Sequence, residues 1–268
     1  MGELGSLRYE PIDKRIRALL GDRTVIDSSR AMIVWEPKRV VPQYAVPVED
    51  IDAELSAESA AGAGEPPAEI DAPQLAGRPV FDPSIPFSVH TTEGEPLTIQ
   101  SAGGEREAAA FRPFDSALAG YVLLDFDAFD AWLEEDEPNV AHPRDPFHRI
   151  DIVHSSREVR IERDGEVLGA SSDPYFLFEP PLPVRYYLPP EDVRTDLFRP
   201  SDTKTFCAYK GQASYWSLED EDDVAWSYPE PLRDAAEVTG RLAFFNERVD
   251  IFVDGTRQER PVTPWSRR

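Results

Sequence analysis

The densest reactive chemistry in the chain lies in Thr205-Phe206-Cys207-Ala208-Tyr209-Lys210-Gly211-Gln212-Ala213. A lysine three residues from a cysteine can favour the thiolate, because a nearby ammonium stabilises the negative sulfur. A thiolate is a nucleophile or a redox centre, so Cys207 and Lys210 are the candidate catalytic residues. The alternative is that Cys207 is a small core residue, as free cysteines usually are. Upstream, Arg185-Tyr186-Tyr187 precedes a helix signal. Arg185 can hold a carboxylate or phosphate with two parallel hydrogen bonds, and Tyr187 can donate another. Downstream, Trp216, Trp226 and Tyr228 could line an aromatic cage for a flat or cationic ligand. Trp226 and Tyr228 are two apart on one strand and share its face. All three could equally be core.

Four histidines complete the inventory: His90, His142, His148 and His154. The spacing of His142 and His148 matches no tight metal motif, and the stretch around them reads as an ordered linker. One cysteine in 268 residues rules out an intrachain disulfide and multi-cysteine zinc sites. The sequence has no dinucleotide fingerprint, phosphate loop, Gly-x-Ser-x-Gly elbow or His-Glu-x-x-His, so no cofactor is expected.

The elements that must position these residues come in two sets. Ser28-Ser29, six residues and Glu36-Pro37 return as Ser171-Ser172, six residues and Glu179-Pro180. Tyr44, Pro47, Glu49-Asp50-Ile51 and Leu55 return as Tyr186, Pro189, Glu191-Asp192-Val193 and Leu197, and Gly120 with Phe129-Asp130 returns as Gly240 with Val249-Asp250. Three blocks in the same order predict a tandem duplication, with a first copy over 1–149 and a second over 150–268. The first copy is longer, chiefly between Ser56 and Pro79. Its Ala, Gly, Pro and Glu there bury too little apolar surface to offset chain entropy, which predicts a mobile loop. Laying Gly94 on Gly211 sets His90 at the place of Cys207 and Glu93 at that of Lys210, so the second copy alone keeps the reactive pair.

Within each copy the pattern is mainly β. Glu158–Arg163, Asp164-Gly165 and Glu166–Leu168 read as a hairpin with a type I′ turn. Ser214–Leu218 and Val224–Tyr228 flank an acidic turn and form a second hairpin. Leu242–Phe245 and Val249–Phe252 flank Asn246-Glu247 and read as a third. Val48-Glu49-Asp50-Ile51 and Pro190-Glu191-Asp192-Val193 each open a short helix, with carboxylates against its positive end. The predicted architecture is two small antiparallel β modules, each with a short helix. A pseudo-two-fold pair is the geometric expectation for such modules.

The net charge of −23 argues against nucleic acid and anionic membrane surfaces as partners. No apolar run approaches the ~20 residues of a membrane span, and no secretory signal is legible, so a cytoplasmic location is expected.

In order and spacing, Arg185-Tyr186-Tyr187, Pro189, Glu191-Asp192-Val193, Cys207, Lys210-Gly211, Ala213, Tyr215, Ala225-Trp226, Tyr228-Pro229, Gly240 and Phe244 resemble the domain of unknown function 427 family. The first copy resembles it more weakly and lacks the Cys/Lys-Gly segment. The resemblance implies a compact β fold similar to the β-tent group, which includes methionine sulfoxide reductase B and the cereblon ligand-binding domain. Some members of that group use a cysteine and others an aromatic cage. Three readings follow: an enzyme acting on a small metabolite in the second copy, a non-catalytic small-molecule binder, and a scaffold protein using its acidic surface.

Overall fold

The computed structural model describes residues 4–57, 72–75 and 77–266. The chain divides into two compact units, Met1–Pro73 with Pro79–Asp145, and Gln74–Arg78 with Pro146–Arg268. The division falls a few residues before Arg149, so His148 belongs to the second unit. The loop expected between Ser56 and Pro79 lies mostly outside the described residues.

The first part of the chain forms β1 (Arg8–Pro11), β2 (Ile16–Leu20), β3 (Arg23–Ser28), β4 (Met32–Trp35), β5 (Gln43–Pro47) and β6 (Glu54–Ala57). A two-stranded ribbon of β7 (Gln74–Leu75) and β8 (Arg78–Pro79) follows. Next come β9 (Gly94–Ser101), β10 (Gly104–Pro113), β11 (Tyr121–Leu124), β12 (Ala131–Glu134) and β13 (Glu137–Asn139). A seven-stranded sheet runs β1-β4-β5-β11-β10-β9-β6, and a four-stranded sheet runs β13-β12-β2-β3. Strand β2 shows how the sequence specifies this. Ile16, Ala18 and Leu20 are buried while Arg17 and Leu19 are only partly so, the period of two that sends alternate side chains to opposite faces. The buried residues join Ile33, Val46, Leu97 and Trp132 in one core.

The second unit forms β14 (Asp151–His154), β15 (Val159–Arg163), β16 (Glu166–Ser171), β17 (Tyr175–Phe178), β18 (Arg185–Tyr187), β19 (Arg199–Cys207), β20 (Gly211–Ser217), β21 (Ala225–Ser227), β22 (Leu242–Phe244), β23 (Asp250–Val253) and β24 (Thr256–Arg257). Three sheets are β14-β17-β18, β19-β20-β21-β22 and β16-β15-β23-β24. Paired 2.9 Å hydrogen bonds between Leu188 and Leu242 join β18 to β22, which makes the strand order β14-β17-β18-β22-β21-β20-β19. That order reproduces the seven-stranded sheet of the first unit. The registers agree as well: Ile33 pairs with Tyr44 and Val34 with Gln43, as Phe176 pairs with Tyr186 and Leu177 with Arg185.

The hairpin β15–β16 forms as predicted, with Asp164 and Gly165 both at positive φ, 51° and 85°. The hairpin β20–β21 also forms. The third does not. Strand β22 pairs with β21, whereas β23 pairs with β15 and β24, so Phe245–Val249 is a corner between sheets. The short helices sit where expected but are single 3-10 turns, Val48–Asp50 and Pro190–Asp192, and further 3-10 turns occur at Ser116–Leu118, Phe126–Ala128, Thr195–Leu197 and Arg233–Val238. Among the described residues, no helix is long and apolar enough to cross a membrane.

Candidate functional site

Strand parity decides which predicted residues meet. On β18, Arg185 and Tyr187 point one way and Tyr186 the other. On β21 and just beyond it, Trp226 and Tyr228 share a face. Tyr187, Trp226 and Tyr228 pack with Leu177, Ala213, Ala243 and Phe245 on one side of the sheet. Trp216 pairs with Ala225, one residue out of phase with Trp226, and packs on the opposite side with Leu242 and Phe244. The three-residue cage is therefore divided: Trp226 and Tyr228 come together, and Trp216 does not join them. Tyr187 instead supplies the third ring. Its oxygen accepts a 3.1 Å hydrogen bond from the Trp226 indole, and the two rings meet edge to face.

Lys210 reaches this face from the turn between β19 and β20. Gly211 makes the turn possible at φ +88°, a conformation that strains residues bearing a Cβ, and an added Cβ would crowd Leu232. The Lys210 carbonyl accepts from the Leu232 amide at 3.1 Å. The residue is only 8% exposed, and its side chain ends on the Glu179 carboxylate. Glu179 follows β17 and is itself 7% exposed, and its other oxygen lies 3.1 Å from His148 Nε2. The His148 ring stacks on Tyr209.

Burial opposes both charges of this pair, yet each stabilises the other. Burial alone would raise Glu179, but the Lys210 charge and the hydrogen bonds from His148 and Lys210 bring its pKa down to about 2. Burial alone would lower Lys210, but Glu179, then Cys207 and Tyr187, raise it above the ordinary lysine range. Lys210 is thus a fixed cation and not a base. Burial pushes Tyr187 up to about 12. Burial also raises Tyr228, and nearby Tyr187, Cys207 and Glu179 add to the effect. Both phenols stay protonated as donors. Cys207 is half-buried, and its sulfur accepts from the Tyr209 amide at 3.5 Å.

Arg185 is buried, and its two terminal nitrogens each lie 2.8 Å from an oxygen of Glu247. One also reaches Asn246 Oδ1 at 3.1 Å. Its guanidinium faces Trp226 at 5.5 Å, Phe245 at 5.9 Å and Trp265 at 5.4 Å. The cation against these rings is the chain's own.

The first unit offers a parallel. Glu36, 1% exposed, accepts from the amides of Thr91 and Thr92 at 3.0 Å each and from the Thr92 hydroxyl at 2.5 Å. Its second oxygen lies 2.8 Å from His90 Nδ1, and the His90 ring stacks on Phe111. The strand registers correct one expectation. Leu97 pairs with Ala110 as Trp216 pairs with Ala225, so Thr91 stands at the place of Lys210 and His90 at that of Tyr209, rather than of Cys207. The two glycines used for the sequence match are offset in register.

Sequence reasoning treated Glu36 and Glu179 only as markers of the repeat and His148 as linker. The recurring Ser-Ser-x6-Glu-Pro was the available signal. Among the described residues, no group of three or more His, Cys, Asp or Glu side chains could hold a metal ion.

Residues 151–255 match a family model described as Domain of unknown function (DUF427). The span holds Glu179, Arg185, Tyr187, Cys207, Lys210, Trp226 and Tyr228, and begins after His148. No curated protein matches the chain.

Proposed function

We propose that the chain is a tandem duplication whose second copy acts on a small molecule through Cys207, with the first copy retained as a structural partner. The carrying observation is a half-buried thiol three residues before a buried lysine whose ammonium is paired with Glu179. Lys210 is held as a cation by Glu179 and so does not act as the base. Tyr187 and Tyr228 lie on one side of the sheet with the small apolar residues Ala213 and Ala243. The absence of a basic surface excess at net charge −23 fits a small ligand rather than nucleic acid.

This reading is favoured over a non-catalytic aromatic cage because Arg185 already lies against Trp226, Phe245 and Trp265 with its donors committed to Glu247 and Asn246. A ligand cation would have to displace a buried ion pair. The test is the rate of Cys207 alkylation by iodoacetamide in the folded chain as a function of pH. In Lys210→Met alkylation should be slower. Identical profiles in the two proteins would remove Lys210 from the reaction, and a thiol unreactive until unfolding would end the nucleophile reading.

A further inference from the structure

We infer that residues 261–266 are a removable plug, and that the surface beneath them is a docking site for a peptide segment carrying a hydroxyl two residues before an indole. The inference is independent of Cys207. Arg185, Phe245 and Glu247 build the surface, and all three lie within the stretch that matches the family model. The plug lies beyond that stretch.

The chemistry of the surface selects its occupant. Arg185 gives its terminal nitrogens to Glu247 and Asn246, so its charge is matched, and a further group meets the flat face of the guanidinium. Trp265 lays its ring there, 5.4 Å from the guanidinium carbon and 6.3 Å from the Phe245 ring. Among side-chain rings an indole holds such a cation best. Glu247 is balanced by Arg185, so a second cation beside it would leave charge over, and a neutral donor would not. Thr263 is that donor: its hydroxyl gives a 2.6 Å hydrogen bond to Glu247 Oε1.

The plug brings its own shape. The Ser266 amide donates to the Thr263 carbonyl at 3.0 Å, and the Thr263 amide to the Ser266 hydroxyl at 3.0 Å. The Trp265 amide donates to the Thr263 hydroxyl at 3.1 Å, and the Ser266 hydroxyl to the Pro261 carbonyl at 3.2 Å. These bonds lie within the segment, and Pro261 and Pro264 stiffen it further, so docking costs little chain entropy. Its anchoring is narrow. Thr263 is the one buried residue from 261 to 266, whereas Val262 is 64% exposed and Trp265 39%. A pre-shaped segment on two side-chain anchors can leave the surface and return to it, with the Arg185–Glu247 pair kept in place.

The experiment titrates a fluorescein-labelled peptide of residues 258–266 into the full chain and reads anisotropy. Residues 258–260 tether the plug to β24. So short a tether gives the attached segment an effective concentration on the order of millimolar, and it outcompetes the free peptide. Thr263→Val with Trp265→Ala in the chain removes both anchors and vacates the surface. The peptide should bind this variant about tenfold more tightly than the wild type. Equal affinity for the two chains, or no binding to the variant, overturns the docking site. The same peptide with alanine in place of Trp265 should bind the variant about tenfold more weakly. A peptide that binds as well without the ring overturns the indole as the group recognised. The wild type supplies a check that needs no variant. Its Trp265 and Ser266 amides should exchange with deuterium well ahead of the Tyr215 and Trp226 amides in β20 and β21. Exchange of Trp265 and Ser266 only on global unfolding would make the segment a fixed part of the unit and overturn the plug.

Discussion

Both units bury a glutamate at the end of the same strand, and they stabilise it by different means. In the first, Glu36 receives two backbone amides, a hydroxyl and His90. In the second, Glu179 receives an ammonium and His148. The surroundings diverge in step. Matching registers set Gln43 at the place of Arg185 and Ala45 at that of Tyr187. They also set Phe111 and Pro113 where the second unit has Trp226 and Tyr228. The first unit satisfies its carboxylate within the loop, and at the places of Lys210, Tyr187 and Tyr228 it has Thr91, Ala45 and Pro113. The strand order is the same in both, and the difference lies in the groups that meet the carboxylate.

The largest effect should come from removing the counter-charge. Glu179→Gln leaves the Lys210 ammonium buried and unpaired, which costs about 3–5 kcal/mol. Glu36→Gln keeps an amide oxygen that the Thr91 and Thr92 amides can still bond, at a cost of about 1–2 kcal/mol. Urea unfolding followed by amide hydrogen exchange assigns each loss to its unit. Equal losses would break the contrast between the two carboxylates.

Acid should act in the same order. The folded pKa of Glu179 is depressed to about 2 from 4.5. A depressed carboxyl stabilises the fold above its unfolded value, and that contribution disappears as pH falls from about 4.5 to about 2. The amount is on the order of 3 kcal/mol. Glu36 is also depressed, against burial and chiefly by His90 and Thr92, so its contribution carries the same sign. The urea midpoint of the second unit should drop across this window in wild type and much less in Glu179→Gln. A drop of equal size in the variant would assign the acid sensitivity to other carboxylates.

A smaller loss is expected at Tyr187. Tyr187→Phe keeps the ring and strips the acceptor from the buried Trp226 indole, costing about 1–2 kcal/mol. Trp226 fluorescence should change with it, and a variant as stable as wild type would show the indole already satisfied elsewhere.

How far the sequence could reveal this differs between fold and site. The Asp164-Gly165 turn is a local signal, and its hairpin forms as read. The corner at Phe245–Val249 is not local. Asn246 and Glu247 resemble a hairpin turn, but they engage Arg185 from a strand some 60 residues earlier, and that partner directs the chain into another sheet. The pairing of side chains was legible where residues are two apart on one extended stretch, as Trp226 in β21 and Tyr228 just beyond it are. It was misread where two strands meet, because one residue of register sends Trp216 to the other face. Glu179 was invisible as a site residue because its partner Lys210 arrives from a turn that only the assembled sheet brings near.

The smallest expected effects reverse the order of the first prediction, which makes them its sharpest check. His148 touches a carboxylate that Lys210 already neutralises, and its ring lies partly open to solvent. His148→Gln should therefore cost about 0.5 kcal/mol. His90 donates to a carboxylate whose other described donors are neutral, and it stacks on Phe111 at 3.7 Å. His90→Gln should cost about 1.5 kcal/mol, the lower range for a hydrogen bond to a charged group. Losing the glutamate should hurt the second unit more, and losing the histidine should hurt the first unit more. A larger loss in His148→Gln than in His90→Gln would mean that Lys210 does not carry the Glu179 charge alone, and that the two units are less different than their donors suggest.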